Sequence, residues 1–114
     1  MPVITPGGFT FAIQISKLDS SDQPIQVVKA NNSDKYKCEI NLIGWDGNPF
    51  QTDTTVQVCF SDGRDSITHL IPWDVGYNLE IKSATVRTVE VTIIDKTTNS
   101  DYFIRKSFQF SPVS

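Results

Sequence analysis

The stretch "TVEVTIIDKTTNSDYFIRKSFQF", residues 88–110, decides the fold. Val89, Val91 and Ile93 recur at every second position, and Tyr102, Ile104, Phe108 and Phe110 keep the same period with Lys106 interrupting it. Side chains alternate faces along a strand, so an apolar period of two rich in β-branched and aromatic residues predicts two strands. Between them lies "KTTNSD", residues 96–101, all polar. Asp95 and Asp101 are spaced like cation ligands at the tip of a β-sandwich, but no third carboxylate converges on them. Asp, Asn, Ser and Thr are also the residues that bond their own backbone in turns. The segment therefore predicts a hairpin joining the last two strands, with Asp95 and Asp101 bonded to the backbone of the turn.

The same pattern extends upstream. Phe9, Phe11, Ile13 and Ile15 alternate with polar or small residues, as do Tyr36, Cys38, Ile40 and Leu42. Short runs follow at Ile25/Val27, Val56/Val58/Phe60, Ile67/His69/Ile71 and Tyr77/Leu79/Ile81. Turn-forming groups separate them: "WDGNP" at 45–49, "SDGRD" at 61–65 and "IPWDVG" at 71–76. Seven or eight short strands with turns every 8–12 residues or so predict an all-β, two-sheet sandwich of immunoglobulin or fibronectin III type. One element is ambiguous. Phe11, Ile15 and Leu18 also lie at helical spacing, although Gly7-Gly8 are poor caps for a helix, and the alternation favours a strand over residues 9–16. The domain expectation is a single unit, 1–114, with an N-terminal segment (1–24) and a sandwich proper (25–114).

Composition narrows the function. The 114 residues suffice for one domain and its core, and 39% hydrophobic with 20% charged residues is the balance of an ordinary folded chain. A net charge of −3 argues against nucleic acid, which needs a basic face. No apolar run reaches the length of a membrane span, so no membrane insertion is expected. The first residues, "MPVITPGGF", lack the basic-then-apolar pattern of a secretory leader. The expectation is a cytosolic chain or one exported by a non-classical route. If it enters a secretory pathway, Asn31-Asn32-Ser33 is a glycosylation sequon.

Little in the chain suggests catalysis, a metal or another cofactor. His69 is the single histidine and sits mid-strand with no nucleophile motif nearby. Cys38 and Cys59 do not form C-x-x-C. They lie almost symmetrically about the 45–53 loop and could face each other across a hairpin; geometry decides whether they pair, and without a leader free thiols are favoured. Asp46, Asn48 and Asp53 share one loop, Asp62 and Asp65 another. A calcium-dependent, lipid-binding C2-like module is thus an alternative, but successive hairpin turns should put Asp46 and Asp62 at opposite ends.

The aromatic residues carry a sharper expectation. Trp45 and Trp73 both fall in turns, beside Asp46-Gly47-Asn48 and Asp74. A tryptophan face next to amide and carboxylate groups suits a sugar, whose C–H face stacks while its hydroxyls hydrogen-bond. Each tryptophan could equally plug one end of the core.

The last third of the chain resembles the fungal immunomodulatory proteins, small lectin-like proteins of about this length. Thr88, Val91, Asp95, Thr98, Asn99, Asp101 and Ile104 fall where that family's pattern wants them. "DKYKCEINLIG" at 34–44, "SDG" at 61–63 and Gly76-Tyr77 are weaker echoes. The resemblance spans roughly residues 34–108 and is strong over 88–104. It implies a fibronectin III-like sandwich, a non-covalent homodimer paired through the N-terminal segment, binding to cell-surface glycans or glycoproteins, and modulation of immune cells. The N-terminal residues that would carry the dimer are Phe9, Phe11, Ile13, Ile15 and Leu18. Thr88, Val89 and Phe108 match positions near the family's sugar patch, to which Trp45 and Trp73 are added from their own chemistry. The chain departs from the family in four ways: residues 9–16 alternate where the family has an amphipathic dimerisation helix, the family's long early loop is shortened to 19–24, cysteine and histidine are present, and the tail after Phe108 is longer.

The sequence thus reads as a non-enzymatic, glycan-binding, lectin-like dimer. The alternative from another class is a purely structural or adhesive sandwich, such as a virion or surface-fibre component.

Overall fold

The computed structural model describes residues 9–97 and 102–113. Seven strands follow one another: β1 (Phe9–Leu18), β2 (Lys35–Gly44), β3 (Thr54–Phe60), β4 (Ile67–Ile71), β5 (Tyr77–Ile81), β6 (Arg87–Asp95) and β7 (Phe103–Phe110). They form two antiparallel sheets, β1-β2-β5 and β4-β3-β6-β7, with no helix among the described residues. This is the two-sheet sandwich that the alternation predicts. Its fourth strand lies beside the third, on the larger sheet, rather than beside the fifth as in constant-type immunoglobulin domains.

The core is the set of inward positions. Ile40 on β2, Val56 and Val58 on β3, Ile81 on β5, Val89 on β6 and Phe110 on β7 have no exposed surface. Two cross-sheet contacts clasp the layers. Tyr36 packs its ring against Phe108 and Phe110 and donates its hydroxyl to the carbonyl of Gln109. On the far flank, His69 of β4 stacks on Tyr77 of β5 with ring centroids 3.9 Å apart, so the histidine is a half-buried strand residue.

The first element is a strand over its whole length. β1 pairs with β2 from Phe9↔Gly44 to Leu18↔Lys35 and puts Phe9 and Phe11 in the core. The helical alternative is thereby removed, and β1 is an integral strand of the smaller sheet. The Ile25/Val27 run is no strand either. Residues 24–30 form a strap between the sheets. Pro24 bridges to Leu18 of β1, and Ile25 donates its N–H to the Lys17 carbonyl. At the other end of the strap, Ala30 N–H and Val28 C=O bond the backbone of Ser111, and both Val28 and Ala30 are buried.

The cysteines are free. β2 and β3 belong to opposite sheets, so the loop between them is a crossover and no hairpin holds Cys38 against Cys59. Cys38 points inward, 2% exposed, whereas Cys59 follows the inward Val58 and lies on the outer side of β3. Burial pushes the Cys38 thiol up to about 11.

Candidate functional site

Strand pairing decides which loops meet. The pairs Phe9↔Gly44, Ile40↔Tyr77, Thr54↔Ile71 and Val56↔Asp95 bring one end of the sandwich together from the start of β1, the β2–β3 loop, the β4–β5 turn and the end of β6. Trp45 and Trp73 therefore lie at the same end. Asp62 and Asp65, in the β3–β4 loop, lie at the other, so the loop aspartates are divided between the two ends. Among the described residues no group of three or more His, Cys, Asp or Glu side chains is placed to hold a metal ion.

The loop end is closed by aromatic rings other than the tryptophans. Phe9 packs against Phe11, Phe50 and Tyr102, with centroids 5.0–5.6 Å apart. Tyr102 stacks on Phe11 at 10° between planes, and its hydroxyl meets the Phe11 N–H at 3.2 Å and the Thr10 hydroxyl at 2.7 Å. With this end plugged, Trp45 and Trp73 stay outside the core, 60% and 39% exposed. The core-plug reading of the two tryptophans is thus replaced.

Each tryptophan is held by a built turn. Residues 44–48 form a tight hairpin tip: Gly47 N–H bonds the Gly44 carbonyl, Gly44 N–H bonds the Asn48 carbonyl, and Gly47 takes the left-handed φ of 83° that favours glycine. The Asp46 carboxylate accepts the Asn48 N–H, which holds its pKa below the ordinary carboxylate value. Trp73 sits in the turn closed by Gly76 N–H to the Pro72 carbonyl, and its own N–H bonds Asp53 Oδ1 at 3.1 Å. Gly76 presses onto β2. A Cβ there would lie 2.4 Å from Asn41 Oδ1 and 2.8 Å from the Ile40 carbonyl, and its φ is 78°.

Between these turns, on the outer face of β2, runs a groove of about 340 Å³ lined by Asn41, Leu42, Ile43, Gly47, Pro49, Trp73 and Asp74. Its walls are apolar and its polar groups few, the usual make-up of a small-ligand site. The Asn41 amide, the Asp74 carboxylate and the Trp73 indole N–H have no hydrogen-bond partner among the described residues. Pro49 also borders a second hollow of about 550 Å³, where Trp45, Asp46, Asn48 and Gln51 lie.

The other sequence-predicted residues lie elsewhere. Thr88 is exposed but pairs with Gln109 at the far end of the sandwich from both tryptophans. Val89 and Phe108 are core residues, 0% and 2% exposed, and present no surface to a sugar; period two itself puts them inward. Of the N-terminal set, Phe9 and Phe11 are in the core, Ile13 packs against it, Leu18 is half-buried and Ile15 is 41% exposed. Thr98, Asn99 and Asp101 lie outside the described residues. Asp95 does bond its turn, its carboxylate accepting the Thr97 N–H at 2.9 Å. Sequence reasoning does not single out Asn41 or Pro49, and it names Asp53 only as a possible cation ligand, not as the support of the Trp73 turn. Asn41 is one polar residue among several on the outer face of β2, with no signal that the β4–β5 turn folds over it. Comparisons with protein-family models, curated proteins and solved structures returned no match.

Proposed function

We propose that this protein is a non-enzymatic carbohydrate-binding module that takes a sugar at its loop end, in the groove beside Trp73. The observation that carries the reading is that Phe9, Phe11, Phe50 and Tyr102 close the core, leaving both tryptophans exposed, Trp73 beside the unpartnered Asn41 and Asp74. An exposed indole is costly to leave in water and gains from a flat apolar partner. A pyranose offers that partner in its C–H face, and its hydroxyls find donors and acceptors in Asn41, Asp74 and the indole N–H. The resemblance over residues 88–104 points the same way and adds cell-surface glycans or glycoproteins, and immune cells, as targets. A glycan array probed with the wild-type chain and with Trp73→Ala tests this: the wild type should give signal that Trp73→Ala loses, and a blank array removes the reading.

A homodimer paired through β1 belongs to the same proposal. β1 is an edge strand, and Phe9–Ser16 carries no charge. Tyr102 and Ile25 occupy its outer backbone edge at Phe11 and Lys17, and among the described residues nothing bonds the Ile13–Ile15 edge between them. An open, uncharged edge is a template for a second copy of itself. Two sites per dimer multiply a weak affinity when both engage one surface. Sedimentation should show a dimer that Ile15→Pro or Ile15→Lys converts to monomer; a wild-type chain that is monomeric at high concentration excludes the pairing.

A further inference from the structure

We infer that the loop-end groove takes an uncharged pyranose and rejects sugars that carry a carboxylate or sulfate. This inference rests on the sugar-binding reading of the same groove and specifies its ligand. Among the described residues, the groove and the hollow that shares Pro49 with it are lined by no lysine or arginine. Among the described residues their only charged side chains are Asp74 in the groove and Asp46 in the hollow, and Asp53 supports the turn that carries Trp73. Asp46 is ionised at neutral pH, its carboxylate bonded by both the N–H and the side-chain amide of Asn48. Asp74 is exposed and forms no ion pair among the described residues. An acidic sugar stacked on Trp73 would set a second negative charge against Asp74 with no cation to pair with. Like-charge juxtaposition of this kind is how binding sites exclude a wrong partner. A neutral hexose meets the same carboxylate as a hydrogen-bond acceptor for its hydroxyls, which is the stronger, charge-assisted kind of bond.

The opposite end of the molecule provides a contrast. The hollow of about 640 Å³ there is lined by Lys82 and Arg87, neither of which has an ion-pair partner among the described residues, by Arg64, which is clamped by Asp62, and by Glu80, which pairs with Lys35. If an acidic sugar binds this chain at all, the charges direct it there and away from Trp73.

The test is a two-dimensional amide NMR titration of the whole chain at low salt, reading the Trp73 indole and Asn41 side-chain signals. The probes are the methyl glycosides of glucose, galactose and mannose, the methyl glycosides of glucuronic and galacturonic acid, and galactose 6-sulfate. A neutral glycoside should move both signals, and its acidic counterpart should need a roughly tenfold higher concentration. Asp74→Asn should shrink that gap to about threefold or less, and added salt should narrow it as well. An acidic sugar that moves the Trp73 and Asn41 signals as readily as its neutral parent overturns the selectivity while leaving the sugar-binding reading intact. A gap that Asp74→Asn leaves unchanged also overturns it. No movement with any probe overturns the sugar-binding reading itself.

Discussion

The carboxylate of Asp53 accepts the backbone N–H of Trp73 at 3.1 Å, from a loop twenty positions earlier in the chain. That bond ties the β4–β5 turn to the β2–β3 loop, so the two walls of the groove are held as one unit. Removing it should loosen Trp73 without unfolding the sandwich, since both partners are exposed. Asp53→Ala should weaken sugar binding several-fold, in keeping with about 1 kcal/mol for a hydrogen bond lost at the surface, with little change in melting temperature. Asp53→Asn keeps an acceptor at the same place and should bind nearly as well as the wild type. Calorimetric titration of the three proteins checks the order.

Gly76 and Gly63 separate close approach from backbone strain. Both take a positive φ, 78° and 89°. A Cβ at Gly63 meets nothing within 4 Å, whereas one at Gly76 strikes Asn41 and the Ile40 carbonyl. Gly63→Ala should cost about 1 kcal/mol of stability. Gly76→Ala should cost distinctly more, about 2–4 kcal/mol, and should also displace the groove wall. Urea denaturation of both variants gives the comparison, and equal losses would contradict the close packing of the turn on β2.

Tyr102 does two jobs at the loop end, and substitution separates them. Tyr102→Phe keeps the ring stacked on Phe11 but deprives the Phe11 N–H and Thr10 hydroxyl of their partner. Its expected cost is about 0.5–1.5 kcal/mol. Tyr102→Ala also removes the ring from the aromatic plug and should cost about 3 kcal/mol or more. Chemical denaturation should rank the two in that order.

The two thiols should react at different rates. Cys38 is buried on β2, and Cys59 is partly exposed on β3. A thiol reagent at neutral pH should label one site in the native protein and the second only on unfolding, which mass spectrometry can assign. The Cys38 thiol, pushed up from its ordinary 9.0 to about 11, also makes stability depend on pH. A pKa raised in the folded state means that the folded chain holds its proton more tightly. The contribution is complete below pH 9 and is lost as pH rises toward 11, by an amount on the order of 2 kcal/mol. Cys38→Val should flatten that part of the alkaline stability curve.

Most of the architecture was legible in the alternation. The period-two runs at Phe9–Ile15, Tyr36–Leu42, Val89–Ile93 and Phe108–Phe110 are strands, and the same period puts Val89 and Phe108 in the core. The resemblance that would place those two on a sugar patch runs against that pattern, and burial prevails. What alternation does not contain is which strands become neighbours. Cys38 and Cys59 look like cross-strand partners because the count runs evenly through a loop, yet that loop crosses from one sheet to the other. Ile25 and Val27 alternate like a strand, but their segment leaves one sheet at Pro24 and reaches the other at Ala30, so it bonds each only briefly. The exposure of Trp45 and Trp73 is likewise non-local. It depends on Tyr102 reaching Phe11, 91 positions away in sequence, and filling the space that a tryptophan would otherwise take.

The most direct test of the sugar site is the glycan array repeated with Trp73→Ala, Trp45→Ala and Thr88→Ala beside the wild type. The account predicts glycan signal for the wild type, its loss in Trp73→Ala, a weaker signal in Trp45→Ala, and no change in Thr88→Ala at the far end. Binding that survives Trp73→Ala and disappears in Thr88→Ala would contradict it.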